Sequence, residues 1–332
     1  MKFINFLKTD IKIINSYFLI VLVLLILVCV GYTSYALFSI SKTSNNIIEL
    51  EVGEMTKLAT ETLIAQTNNL NDSGLYTITH NADSTLQLGA TEDITEYRYR
   101  GASPKNYVSF NNEVWRIIGV FPTEDENGNI ENRIKLIRNA SIGTYKWNTS
   151  FSNDWTEATL NTYLNGDYYN TLISEAQNMI GSSKYYLGGY NDDKQTSQDM
   201  YSYERKISGS DYYSGSNPNS WVGKLALMYE SDYGYASLNC ETKELYSSSG
   251  STHDLRACNS TNWLYNIKVN EWLLPQESSN SLCAFLVYSD GHVNYNRVRY
   301  GQKAARPVLY LTSAVQITGG DGTESSPYTL GV

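Results

Sequence analysis

From Tyr17 the chain runs apolar through Phe18-Leu19-Ile20-Val21-Leu22-Val23-Leu24-Leu25-Ile26-Leu27-Val28 to Val30, and it stays uncharged through Gly31 to Phe38. That length matches the roughly 20 residues a helix needs to cross about 30 Å of hydrocarbon, so residues 17–38 are expected to be a transmembrane helix or a signal peptide. Lys2, Lys8 and Lys12 precede the run and Glu49, Glu51 and Glu54 follow it. The positive-inside bias therefore leaves residues 1–16 in the cytoplasm and everything beyond Lys42 outside. Ser34-Tyr35-Ala36 has the small-x-small form of a signal peptidase site, so cleavage after Ala36 is the alternative to a retained single-pass anchor, and both outcomes export the chain. Cys29 makes a poor lipidation site because Val28 stands where a small residue is needed.

Residues 39–95 are polar and interrupted and read as a stalk with one helix, Met55 to Leu70, carrying Leu58, Leu63, Ile64 and Leu70 as a partial stripe. The pattern changes near Tyr97, and residues 96–312 are expected to form an α+β, β-rich ectodomain with two short helices, followed by a C-terminal hairpin tail at 313–332. Tyr107–Phe110 and Glu113–Phe121 have strand patterns, and the second is apolar on both faces, which predicts a central strand. Asp125-Glu126-Asn127-Gly128-Asn129 turns that strand into Arg133–Arg138. The same turn faintly resembles a calcium loop, but its glycine is misplaced and no closing Glu follows at the right distance, so no metal is expected there. Asp154 and Glu157 read as a capping box opening a helix through Leu164, and a second helix is predicted over Tyr168–Ile180. The Gly-, Ser-, Asp- and Tyr-rich stretch from Tyr185 to Asn219 reads as a long surface excursion. Leu225–Tyr229, Ala284–Tyr288, Val293–Val298 and Pro307–Leu311 are the remaining expected strands, with Ser289-Asp290-Gly291-His292 as a tight turn.

Composition is globular, with 42% hydrophobic and 18% charged residues. A net charge of -9 without a basic stripe argues against nucleic-acid binding. In an oxidising exterior Cys240 and Cys258 are expected to form a disulfide closing a short loop, while Cys283, between Leu282 and Ala284, reads as a buried thiol. Zinc is disfavoured because no C-x-x-C pair exists and His253 has no ligand-spaced partner.

Several motifs carry a resemblance. They are Tyr97-Arg98-Tyr99-Arg100-Gly101-Ala102, Ala158–Gly166, Leu227–Ala236, Asn262-Trp263-Leu264 and Trp272-Leu273-Leu274-Pro275. Asp290-Gly291-His292-Val293, Arg306–Leu311 and Gly320-Asp321-Gly322-Thr323 continue the pattern to the end of the chain. Together they resemble an uncharacterised family of exported, N-terminally anchored surface proteins of Gram-positive and wall-less bacteria. The Trp–Pro, Asp-Gly and Arg-Pro-Val elements are similar to the tail of C-type-lectin-like domains, a fold shared with formylglycine-generating enzymes. The resemblance implies a mixed α/β ectodomain and no defined activity, so function has to be argued from sites. The tripeptides that serve calcium-dependent sugar binding in C-type lectins do not occur in this chain.

No H-E-x-x-H, G-x-S-x-G, P-loop or dinucleotide fingerprint is present, so neither an enzyme nor a cofactor is expected. His80, His253 and His292 lie far apart in sequence and read as ordinary surface or turn residues. What remains is tyrosine, 28 of 332 residues, many beside Ser, Asn, Gly or Asp as in binding loops. Tyr185, Tyr186, Tyr190, Tyr201, Tyr203, Tyr212, Tyr213, Tyr295 and Tyr300 are therefore the candidate ligand-binding residues, whereas Tyr107, Tyr163 and Tyr310 read as ordinary strand residues. The expectation is a membrane-tethered recognition or adhesion protein that binds a glycan, a wall polymer or another protein. A structural subunit of a surface layer or appendage is the first alternative, and a formylglycine-generating-enzyme-like catalyst the second.

Overall fold

A computed structural model describes residues 57–68, 72–190, 195–245 and 254–332, together with Leu22 and residues 24–28. The chain divides into two units, Met1–Met55 and Thr56–Val332. In the first, Leu22 and residues 24–28 are helical, and the rest of the expected 17–38 segment, with Cys29 and Ala36, lies outside the described residues. Among the described residues no helix is long and apolar enough to cross a membrane.

The second unit is β-rich α+β. Its helices are short: Ala59–Ile64 (α1), Thr159–Tyr163 (α2), Ser174–Met179 (α3), Ser197–Glu204 (α4) and Glu230–Tyr235 (α5). Its strands are Gly74–His80 (β1), Ile94–Arg100 (β2), Tyr107–Phe110 (β3), Glu113–Glu124 (β4), Ile130–Arg138 (β5), Thr144–Tyr145 (β6), Ser183–Tyr186 (β7) and Ser220–Gly223 (β8). They continue with Leu225–Ala226 (β9), Glu271–Gln276 (β10), Cys283–Val287 (β11), Val293–Arg297 (β12), Lys303–Ala304 (β13), Val308–Tyr310 (β14), Gln316–Gly319 (β15) and Thr329–Gly331 (β16).

A seven-stranded sheet runs β1-β2-β4-β5-β14-β9, with β3 pairing on β4, and a five-stranded sheet runs β12-β11-β10-β13-β6. β4 is central because its apolar residues occupy both faces: every position from Trp115 to Phe121 is buried. Its register shifts at Gly119, where a Cβ would meet the Tyr97 carbonyl at 2.0 Å, so only glycine lets β2 approach there. One continuous apolar core joins the two sheets and contains Trp115, Trp147, Trp155 and Trp272. The buried indoles are anchored by hydrogen bonds across elements, Trp147 Nε1 donating to the Leu273 carbonyl at 3.0 Å and Trp272 Nε1 to the Tyr145 carbonyl at 2.8 Å.

Several expectations change. Much of the stretch read as a stalk is folded: α1 buries Ala59 and Leu63, and β1 pairs with β2 from Gly74↔Arg100 to His80↔Ile94. The C-terminal hairpin is no separate tail, since Tyr328 N–H donates to the Tyr107 carbonyl and Ser109 N–H to the Tyr328 carbonyl, each at 2.9 Å. The stretch from Tyr185 to Asn219 is only in part a surface excursion: β7 and α4 place Tyr185, Met200 and Tyr201 in the core, while residues 207–211 are exposed. The two expected helices are also shorter and broken. The first passes from a 3-10 turn at Trp155–Glu157 through α2 to a π turn at Leu164–Tyr168, and the second is interrupted where Leu172 and Ile173 adopt extended backbone.

Cys240 and Cys258 are joined as a disulfide. It ties the segment after α5 to the short helical turn Asp254–Thr261. Replacing both cysteines with serine is expected to cost about 3 kcal/mol, from loop-closure entropy alone. For a domain of this size that lowers the melting midpoint by roughly 6 to 12 °C. A calorimetric scan showing an unchanged midpoint would mean that the loop is held by other contacts.

Candidate functional site

α4 is the element that organises the tyrosines. Thr196 and Asp199 form a reciprocal capping box at its start, the Thr196 side chain accepting from Asp199 N–H while the Asp199 carboxylate accepts from Thr196 N–H at 2.8 Å. The helix then buries Met200, Tyr201 and Glu204 and leaves Tyr203 partly exposed on the other side.

Tyr203 is one of three rings that converge. Its centroid lies 4.1 Å from Tyr190 and 5.4 Å from Tyr212, and Tyr190 and Tyr212 are 5.7 Å apart, all near parallel. All three are partly exposed. They come from separate segments, held together by the Gly188-Gly189 pair. Gly188 N–H donates to the Glu204 carbonyl and Gly189 N–H to the Tyr212 carbonyl, each at 3.0 Å. A Cβ on Gly189 would sit 1.8 Å from the Gln276 oxygen, so glycine is required for the chain to pass between α4 and β10.

The other candidate tyrosines are elsewhere. Tyr185, Tyr186, Tyr201 and Tyr213 are buried, which corrects the expectation that they belong to surface loops. Their polar neighbours in sequence hid rings that pack inward. Tyr295 is partly buried on β12 against the edge of Phe285, and Tyr300 is half exposed.

The buried face of α4 meets a charge network that the sequence did not reveal. Asp232, in the first turn of α5, accepts from Arg98 Nη1 at 2.9 Å, from Lys135 Nζ at 2.5 Å and from Tyr229 N–H at 2.9 Å. Arg98 also pairs with Glu96 on the same face of β2, and the Glu96 carboxylate accepts from His80 Nε2 at 2.9 Å. His80 is 2% exposed and its ring stacks on Tyr201 at 3.4 Å, so it is a core residue and not the surface residue expected. On the α4 side, Glu204 accepts from Ser231 N–H at 2.9 Å and from Ser231 Oγ at 2.6 Å, and it pairs with Arg205, whose guanidinium lies 3.8 Å over Tyr201.

Burial works to raise the carboxyls of Asp232 and Glu96, but Lys135 and Arg98 outweigh it for the first, and Arg98 and His80 for the second, so both are held below their usual range. Burial pushes Lys135 down to about 8. Glu230, fully buried and with no hydrogen-bond partner on either carboxyl oxygen, is raised well above its usual value by burial and by Glu204.

These groups are sealed from solvent. The cavity between Glu96, Thr123, Lys184, Tyr186 and Arg205 has a volume of about 10 Å³, room for one water and no substrate. The network locks α4 and α5 onto the sheet. A roomier, open cleft of ≈ 370 Å³ lies beside Gln66, Asp72, Tyr99 and Lys105. His292, at the β11–β12 turn, contacts Asp290 through Nδ1 at 2.5 Å, and His253 lies outside the described residues. Cys283 is buried, and burial pushes its thiol up to about 11. Asp125 accepts from Asn127 N–H, Asn129 N–H and the Asn129 side chain, so its carboxylate organises the turn from within. Among the described residues no group of three His, Cys, Asp or Glu side chains could hold a metal ion.

The capping box Thr196-Ser197-Gln198-Asp199 was a signal in the sequence for α4. Comparison with protein-family models, with curated proteins and with solved structures finds no match to this chain, so the site stands on its own geometry.

Proposed function

We propose that this chain is an extracytoplasmic recognition protein, tethered by its apolar N-terminal segment, that binds a surface glycan, wall polymer or protein. The observation that carries the reading is the convergence of Tyr190, Tyr203 and Tyr212, from three separate segments, into one partly exposed stack. Tyrosine faces give a large, rigid contact area at low entropic cost and leave the hydroxyl to orient a ligand. The glycines and buried charges around α4 hold that surface in place before a ligand arrives, which lowers the ordering cost of binding.

A C-type-lectin-like arrangement of the C-terminal part fits the placement of its motifs. Trp272-Leu273-Leu274-Pro275 lies in β10, Asp290-Gly291 turns β11 into β12, and Arg306-Pro307 leads into β14. Arg306 is spent inside the fold, bonding both Glu271 oxygens at 2.6 and 2.8 Å.

The test is a binding screen of the full-length chain, kept in detergent, against immobilised cell-envelope and animal-surface oligosaccharides. Binding of one class above background is expected. No binding on the array, together with concentration-dependent self-assembly in sedimentation, would replace this reading with that of a structural subunit.

A further inference from the structure

A second exposed cluster lies at the far end of β12. Phe151 and Tyr300 are each 50% exposed and meet edge to face with centroids 6.3 Å apart. The Arg299 guanidinium lies 4.3 Å over the Phe151 ring and the Arg297 guanidinium 5.5 Å over Tyr300. Both arginines are exposed, and neither has an ion-pair partner among the described residues. Gly301 and Gln302, next in the chain, are exposed as well, so nothing among the described residues covers the cluster.

Two uncompensated guanidinium groups beside two exposed rings stand out on a chain whose net charge is -9. Arg98, Arg133, Arg138 and Arg306 of the same unit are each matched to a carboxylate. A guanidinium stacked on a ring keeps its N–H edge directed outward, and that planar fork matches a carboxylate or phosphate in two-point contact. Rings half open to solvent beside it offer flat apolar faces at the same time.

We infer that Phe151, Arg297, Arg299 and Tyr300 form a binding site for an anionic carbohydrate, whose acidic groups meet the arginines while its sugar rings lie on the aromatic faces. The alternation of ring and cation over this short distance fits a polymer that alternates ring and charge. An acidic polypeptide supplies the charge without flat rings to stack. The site is separate from the tyrosine stack and stands whether or not that stack binds a ligand.

The experiment is calorimetric titration of the full-length chain in detergent with polygalacturonate, with dextran as the neutral polymer and poly-L-glutamate as the acidic polypeptide. Polygalacturonate is expected to bind, with affinity falling about tenfold from about 50 to 200 mM salt if two arginines are engaged. Dextran is expected not to bind. Arg297→Ala with Arg299→Ala should weaken polygalacturonate at least tenfold. Arg297→Lys with Arg299→Lys, which keeps the charge, should recover only part of the loss, and Phe151→Ala should weaken binding at unchanged salt dependence. Circular dichroism melts of each variant confirm folding. Equal binding of poly-L-glutamate would overturn the carbohydrate assignment in favour of an acidic protein partner. Polygalacturonate binding unaltered in the folded double alanine variant, or absent in the wild type, would overturn the site.

Discussion

Asp232→Leu should lower the unfolding free energy by about 3 to 5 kcal/mol, the range for breaking one side of a buried ion pair and leaving the other uncompensated. The effect is large because one carboxylate serves two cations and a backbone N–H: without it Lys135 and Arg98 both lose a partner in a fully buried site. Glu96 still neutralises Arg98, so Lys135 is the group left stranded, between Tyr229 at 4.2 Å and the rings of Phe121 and Tyr310. Adding Lys135→Met should therefore recover most of the loss, since an apolar side chain suits that aromatic surround. Urea unfolding of the single and double variants measures both. A single variant within about 1 kcal/mol of the wild type would show that the network contributes little to stability.

Glu230→Gln should stabilise the protein increasingly as the pH rises. The folded carboxyl is raised well above its ordinary value of 4.5, so between that value and its folded value the native state binds a proton that the unfolded state has released. Wild-type stability therefore falls with rising pH by about 1.4 kcal/mol per unit from this group, and the glutamine variant, which has no such proton, escapes the loss. The gap should widen as the pH rises above the ordinary carboxyl range and level off once the folded carboxyl has ionised. Asp232 and Glu96 act in the opposite sense. Their lowered carboxyls contribute stability that is present above their unfolded values and lost as the pH falls through the folded ones. The two effects together predict a stability maximum on the acid side of neutrality. Urea midpoints for wild type and Glu230→Gln at a series of pH values test this, and parallel curves would contradict it.

How much of this was legible in the sequence depended on how local the determinant was. β3 and the buried run of β4 follow directly from apolar residues at Tyr107–Phe110 and Trp115–Phe121, and the β11–β12 turn from Asp290-Gly291, because those signals act over a few residues. The stretch from Tyr185 to Asn219 misled because Ser, Asn and Gly surround its tyrosines. A tyrosine can bury its ring wherever one hydroxyl partner is within reach, as Tyr185 does with the Lys224 carbonyl at 3.3 Å. α4 escaped notice because its apolar face is only Met200 and Tyr201, with Glu204 completing it through a bond to Ser231 that periodicity does not show.

The charge network was invisible for the same reason. Glu96 and Arg98, two residues apart on one face of β2, look like the polar side of a half-exposed strand until Asp232 and Lys135 are brought in from distant elements. Of the candidate tyrosines, sequence found the three that stack, but it could not separate them from Tyr186, Tyr201 and Tyr213, which differ in tertiary partners and not in neighbours.

The most direct test of the recognition reading is Tyr203→Ala, measured for binding and melting in one preparation. Alanine is a strong helix former and the ring lies on the partly exposed side of α4, so folding should tolerate the change. If the stack is a contact surface, the variant loses most of the binding shown by the wild type on the oligosaccharide array while its melting midpoint moves by only a few degrees. A variant that melts far lower yet keeps its binding would show that the three rings serve packing, and that recognition, if any, lies elsewhere.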